Sequence, residues 1–201
     1  MIVNIALNKQ ARLSEHFTLG ELCKTSVNSL DGNIPSHEDI ENLKRLCPWL
    51  EELRYRYNQR YVSLPLQGEM EGVTKPGKER PPLTPPVGGG AGEERPPLTP
   101  PVGGGAEEPI IITSGYRSPV VNKCVGGVYS SNHLTGCAVD IRCTGVEQAI
   151  RYAAILLDMA DDRREDFDEL FVERNRKGRY WVHFAVRPKD NRRKILFLDK
   201  R

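Results

Sequence analysis

The sequence predicts an α+β domain whose sheet is small and largely antiparallel. Three observations carry this. Apolar residues at helical spacing come early, at Ile40, Leu43, Leu46, Leu50, Leu53 and Tyr57. Short β-branched or alternating runs dominate after residue 109. One further helical pattern lies among those runs, and helices followed by mostly hairpin-length strands give a mixed fold with segregated layers rather than alternating βαβ units.

In chain order, Thr18-Leu19-Gly20-Glu21 has capping-box form and predicts a short first helix. Ile34-Pro35-Ser36 leads into the main helical stretch, where Pro48 predicts either a kink or a break between two helices. Pro109 to Thr113 is a β-branched run that predicts a buried strand stopping at Ser114-Gly115, and Ala138 to Arg142 alternates as a second strand. Thr144-Gly145-Val146-Glu147 reads as another capping box, followed by a helix face of Val146, Ile150, Ala153, Leu157 and Ala160. Strands follow at Phe167 to Glu173 and Tyr180 to Val186, joined through a turn at Gly178, and a last one covers Lys194 to Leu198.

Composition sets outer limits. The 201 residues are 38% hydrophobic and 28% charged, a soluble balance that is low on the apolar side. The dilution comes from Gln67 to Glu108, where a 15-residue Pro/Gly-rich unit occurs nearly identically twice, from Glu79 to Glu93 and from Glu94 to Glu108. Each unit has too few large apolar side chains to offset the entropy of ordering it, so residues 67–108 are expected to be a disordered insertion. Pro82-Leu83-Thr84-Pro85 also matches a P-x-x-P ligand, as any proline-rich linker can. The expected organisation is one domain in two pieces, 1–66 and 109–201, and the roughly 160 residues outside the insertion suffice for one core.

With 29 Lys plus Arg against 27 Asp plus Glu, the net charge of +2 gives no broad field for nucleic acid or an anionic membrane. No apolar run approaches the roughly 18 residues of a membrane span. Met1 to Leu13 lacks the continuous apolar segment of a secretory signal, so the chain is expected to stay in the cytoplasm of the cell that makes it until released. Five cysteines without close pairing suit reduced thiols.

The chemistry concentrates in two short stretches. Asp140 is flanked by Val139 and Ile141 in a strand, so its side chain points to the opposite sheet face, where a carboxylate needs a counter-charge. The same alternation puts His183 on one face with Trp181 and Ala185. Were these strands neighbours, Asp140 and His183 would converge, with His133 closing over them from a turn. Two imidazoles and a carboxylate suffice for a catalytic zinc with one position left for water; a core histidine–aspartate pair beside an unrelated loop histidine is the alternative. Cys137 and Cys143 lie nearby and are read as buried free thiols.

Ser131-x-His133-x-x-Gly136-x-Ala138-x-Asp140, then Trp181-x-His183, with Ser114-Gly115-Tyr116-Arg117-Ser118 upstream, resembles the zinc D-Ala-D-Ala carboxypeptidase and L-Ala-D-Glu endopeptidase family, which shares the hedgehog/DD-peptidase fold. Leu13 to Leu22 is similar to the leader of cell-wall and phage members. The resemblance implies Zn²⁺ held by His133, Asp140 and His183, and an arginine at Arg117 that binds substrate and stabilises charge on the carbonyl oxygen; a surface ion pair is the alternative for Arg117. Ser131 is a candidate peptide contact or a local cap, and Tyr116 either lines the cleft or packs. Many members carry an acid three residues before the second histidine, where this chain has Tyr180, which by alternation faces away from His183. Glu173 is the replacement candidate for general base; it shares a strand face with Glu169, and both could instead be solvated edge residues.

The expected function is therefore a zinc metallopeptidase that hydrolyses peptidoglycan stem peptides through a metal-activated water, as carboxypeptidase or endopeptidase. It would be a monomer of the phage-like, endolysin-type branch, acting on the cell wall once released. The alternatives are an inactive zinc-containing module that binds peptidoglycan or serves in a phage structure, and a scaffold built around the repeat.

Overall fold

The computed structural model describes residues 8–62 and 107–199. Of the insertion expected over Gln67 to Glu108, residues 67–106 lie outside the described residues, and Glu107 and Glu108 at its end are described. Where the description resumes, the Glu108 amide donates to the Asn58 side chain at 2.9 Å and Arg54 pairs with Glu107 at 2.9 Å. The residues that follow the repeat thus lie against the Arg54–Asn58 stretch.

Helix α1 (Leu19–Leu22) begins with the expected reciprocal cap: the Glu21 amide donates to the Thr18 hydroxyl, and the Glu21 carboxylate accepts from the Thr18 amide at 2.9 Å. Helix α2 (His37–Val62) opens with the same device made from Ser36 and Asp39. It runs through Pro48 as one element. Pro48 sits on the exposed side, so the Lys44 carbonyl it leaves without an amide partner can be hydrated.

After β1 (Ile112–Ser114) come α3 (Pro119–Cys124), a 3₁₀ turn over Asn132–Thr135, β2 (Ala138–Cys143), α4 (Val146–Arg163), β3 (Glu169–Arg174), β4 (Tyr180–Ala185) and β5 (Lys194–Asp199). The sheet order is β1-β2-β4-β3-β5. The first three pairings are antiparallel and β3–β5 is parallel, so the sheet is mixed rather than purely antiparallel. The parallel edge arises because the segment after β4 crosses the end of β3, tied there by the Arg193 amide to the Phe167 carbonyl at 2.8 Å and the Lys194 amide to the Asp168 carbonyl at 3.0 Å.

Two sequence expectations need correction. α4 is capped by Gly145, without a side-chain cap; Thr144 instead donates its amide and hydroxyl to the Gln148 side chain. The buried face of α4 is Ala149, Tyr152, Ile155, Leu156, Met159 and Ala160, whereas Val146 and Ile150 are exposed. Apolar residues occur on more than half of this helix, and the aromatic Tyr152, packed edge-on against Tyr57 of α2 at 4.8 Å, decides which side turns in.

The sheet has two different faces. Val139, Ile141, Leu170, Val172, Val182 and Phe184 are buried against α2 and α4, with Trp49 of α2 tilted on Phe184 at 5.2 Å. Strand alternation therefore sends Asp140, His183, Phe171, Glu169 and Glu173 to the other face. Ala138–Ala185, Asp140–His183 and Arg142–Trp181 are direct partners across β2 and β4.

The 3₁₀ turn is seated on the start of α2. The Asn42 amide donates to the Thr135 carbonyl at 2.9 Å, and Gly136 leaves the turn with φ of 67°. A Cβ at Gly136 would lie 2.4 Å from the Asp39 carbonyl oxygen. Gly136→Ala therefore combines a left-handed backbone with a clash against backbone, and should destabilise the protein by about 2–4 kcal/mol in urea unfolding. A change below about 0.5 kcal/mol, the range of an inconsequential surface substitution, would contradict this seating.

Candidate metal centre

His133, Asp140 and His183 come from the 3₁₀ turn, β2 and β4, and each offers one ligand atom within 4.8 Å of the others. All three are buried, at 2%, 8% and 7% exposure. Asp140 Oδ1 is the hub, 3.3 Å from His133 Nε2 and 3.0 Å from His183 Nδ1. The rings of the two histidines meet edge to face with centroids 5.0 Å apart.

The surroundings fix which atom each residue presents. His133 Nδ1 donates to the Gly115 carbonyl at 2.6 Å, so Nε2 is the ring nitrogen turned toward Asp140. On His183 the assignment is reversed: Nδ1 faces Asp140, while Nε2 faces Glu169 Oε2 at 3.4 Å. The Asp140 Oδ2 atom accepts from Arg117, whose Nε also donates to Ser114 Oγ at 2.7 Å. Phe171 stacks on the His183 ring at 5.4 Å and 22°, closing its outer side.

Arg117 is itself held through its neighbours. Its amide donates to the His133 carbonyl at 2.9 Å. The buried Asn33 side chain donates to the Tyr116 carbonyl at 3.2 Å and accepts from the Ser118 amide at 2.7 Å, bracketing Arg117 on both sides. Nothing local in the sequence marks Asn33 for this role, because Tyr116 and Ser118 lie more than eighty positions away.

The electrostatics follow from burial and pairing. Burial opposes ionisation of Asp140, but the charge and hydrogen bonds of His133, and then those of His183, hold its pKa well below the usual carboxylate range. Burial likewise opposes the charge on His183, yet its hydrogen bonds to Asp140 and then Glu169 push its pKa up to about 9. Burial pushes the Cys143 thiol up to about 12 and raises Cys137 as well. Both are free, buried thiols, as expected from the sequence.

Other expected site residues are placed as follows. The Ser131 hydroxyl caps the 3₁₀ turn, accepting from the His133 amide at 3.4 Å. Tyr116 is 6% exposed and belongs to the hydrophobic core, which favours packing over lining a cleft. Tyr180 packs against that same core and under the Arg174 guanidinium, on the face opposite His183. Glu173 is buried on the site face, opposite Trp181 in the β3–β4 register. Glu169, set aside in the sequence as equally an edge residue, is the carboxylate beside His183. A neutralised cluster of two imidazoles and a carboxylate, with each second atom already engaged, has the donor chemistry that zinc prefers.

Fold and site together present a buried candidate metal centre. Residues 104–170 match the family model described as Peptidase M15, a span that includes Arg117, His133 and Asp140 and ends before His183. The match supports assignment to the M15 peptidases, which are zinc-dependent, and the histidine–aspartate–histidine group here could hold that ion. No curated protein gives a significant match to the chain. Among the described residues no helix is long and apolar enough to cross a membrane.

A metal can take His183 only as the neutral imidazole. Because its pKa is raised to about 9, the metal-free centre holds this proton at neutral pH and releases it on metal uptake. Apparent zinc affinity should rise about tenfold per pH unit from pH 7 toward 9 and then level off. Competition titration against a chromophoric chelator checks this, and an affinity unchanged over that interval would contradict it.

Proposed function

We propose that this chain is a zinc-dependent peptidase acting on peptidoglycan stem peptides, either removing a terminal D-Ala or cutting an internal L-Ala-D-Glu bond. The observation that carries the reading is the convergence of His133 Nε2, Asp140 Oδ1 and His183 Nδ1 on one buried point. The Peptidase M15 match supports the reaction class. The choice of substrate rests on the resemblance of the S-x-H-x-x-G-x-A-x-D and W-x-H motifs to wall-directed enzymes.

His133, Asp140 and His183 would hold the ion, and zinc bound there supplies Lewis acidity toward a peptide carbonyl and toward water. Arg117 contributes a guanidinium beside the ligand carboxylate. Its bond to Asp140 Oδ2 steadies Oδ1 toward the histidines, and its remaining donors are suited to the oxygen of a scissile carbonyl or a substrate carboxylate. Ser131, which caps the turn that carries His133, is the candidate for a peptide contact.

We assign proton transfer to Glu173. It shares the site face of β3 with Phe171, one alternation from the residue stacked on His183, and lies beside Trp181. Its carboxylate would take the proton from the attacking water and deliver it to the leaving amine. Trp181, paired with Glu173 in the strand register, would shield this end of the site. The second reading, an inactive zinc-bearing wall-binding module, is favoured by one observation: Tyr180, at the position where relatives carry an acid, packs on the opposite face.

Mass spectrometry of muropeptides separates the readings. Wild type should release D-Ala or a product cut after L-Ala, His183→Ala should release nothing, and intact muropeptides with a zinc-loaded wild type would favour the binding module. Glu173→Gln should lower kcat by about 10²–10⁴ while still binding one zinc, the loss typical of removing a general base. Unchanged turnover in that variant would remove Glu173 from the role.

A further inference from the structure

Beside the ligand cluster lies a second, denser polar network whose purpose the reaction does not explain. Its anchor is Asp168, which is wholly buried. Arg192 grips it with two parallel bonds, Nε to Oδ1 at 2.8 Å and Nη2 to Oδ2 at 2.7 Å, and Arg187 approaches at 3.5 Å. Asn132 donates its amide to Asp168 Oδ2 at 2.7 Å and also to Glu169 Oε2 at 2.9 Å. Arg192 Nη2 reaches Glu169 Oε1 at 2.7 Å. Both Glu169 oxygens are therefore restrained from outside, and Oε2 faces His183 Nε2 at 3.4 Å.

A carboxylate fixed in this way has a specific consequence for an imidazole. Accepting the Nε2 proton leaves the Nδ1 lone pair free, and Nδ1 is the atom 3.0 Å from Asp140. Histidines that bind metals through one nitrogen almost always donate the other to a carboxylate, carbonyl or water, which sets the tautomer and the ring angle. His133 has the Gly115 carbonyl in that position. We propose that Glu169, clamped by Asn132 and Arg192 on the buried Asp168, is a positioning residue that holds His183 as a ligand through Nδ1. Asn132 immediately precedes His133, so one network sets the placement of two ligands borne by different elements. This rests on reading His133, Asp140 and His183 as the metal centre.

The test uses the full chain and zinc alone. Affinity is measured by chelator competition for wild type, Glu169→Ala, Glu169→Gln and Asp140→Ala, with thermal unfolding of each zinc-free protein alongside. Glu169→Ala should bind zinc about 10–100-fold more weakly, the usual cost of removing such an outer partner. Glu169→Gln, which keeps an acceptor oxygen at the same reach, should fall between it and wild type, and Asp140→Ala should lose binding. Nitrogen-15 NMR of histidine-labelled protein should show His183 as the Nε2–H tautomer in zinc-loaded wild type, which a merely structural role for Glu169 would not require. Wild-type affinity in both Glu169 variants, or a His183 protonated on Nδ1 in the zinc-loaded protein, overturns the role of Glu169. Absence of zinc binding by wild type overturns instead the metal centre on which it rests.

Discussion

A carboxylate in the middle of a β-sheet, 8% exposed, must be neutralised where it stands, and the architecture around Asp140 is organised by that requirement. Arg117 takes one oxygen, while His133 and His183 take the other from two directions. Leaving any one of these groups unpaired in so dry a place costs several kcal/mol by general experience with buried ions. The arrangement persists because each counter-charge is carried by an element fixed for other reasons: β4 by direct pairing with β2, the 3₁₀ turn by its seat on α2, and Arg117 by Asn33.

The division of labour between the two sheet faces makes this affordable in stability. One face is given over to Val139, Ile141, Val182 and Phe184 against Trp49 and α4, an apolar layer that supplies the driving force for folding. The other carries Asp140, Arg142, Glu169, Glu173 and His183, set among Ala138, Phe171, Trp181 and Ala185. A one-residue slip in the β2–β4 register would bury Asp140 in the apolar layer and turn Val139 and Ile141 toward the site, so the core and the site enforce the same register.

Much of this was legible in the sequence because it depends on short-range periodicity. Alternation around Asp140 and His183 gave their common face, and the structure makes them direct cross-strand partners. The Thr18 cap, the strand pair around Gly178 and the turn of Tyr180 away from His183 are likewise local matters. What escaped depends on distant pairing. The choice between Glu169 and Glu173 as the neighbour of His183 turns on a β3–β4 register and on Asn132, thirty-seven residues before Glu169. The parallel edge strand depends on how the chain passes the end of β3, and the orientation of α4 on a tyrosine pair with α2. Asn33 and Asp168 show no motif at all; their importance lies in partners that only folding brings near.

The central claim is that three side chains from three elements surround one cation. Its most direct measurement is a crystal structure of the zinc-soaked protein with data collected on both sides of the zinc absorption edge. The account predicts a single anomalous peak bonded to His133 Nε2, Asp140 Oδ1 and His183 Nδ1, with no fourth protein ligand. A peak elsewhere, none at all, or a fourth side chain completing the coordination would contradict it.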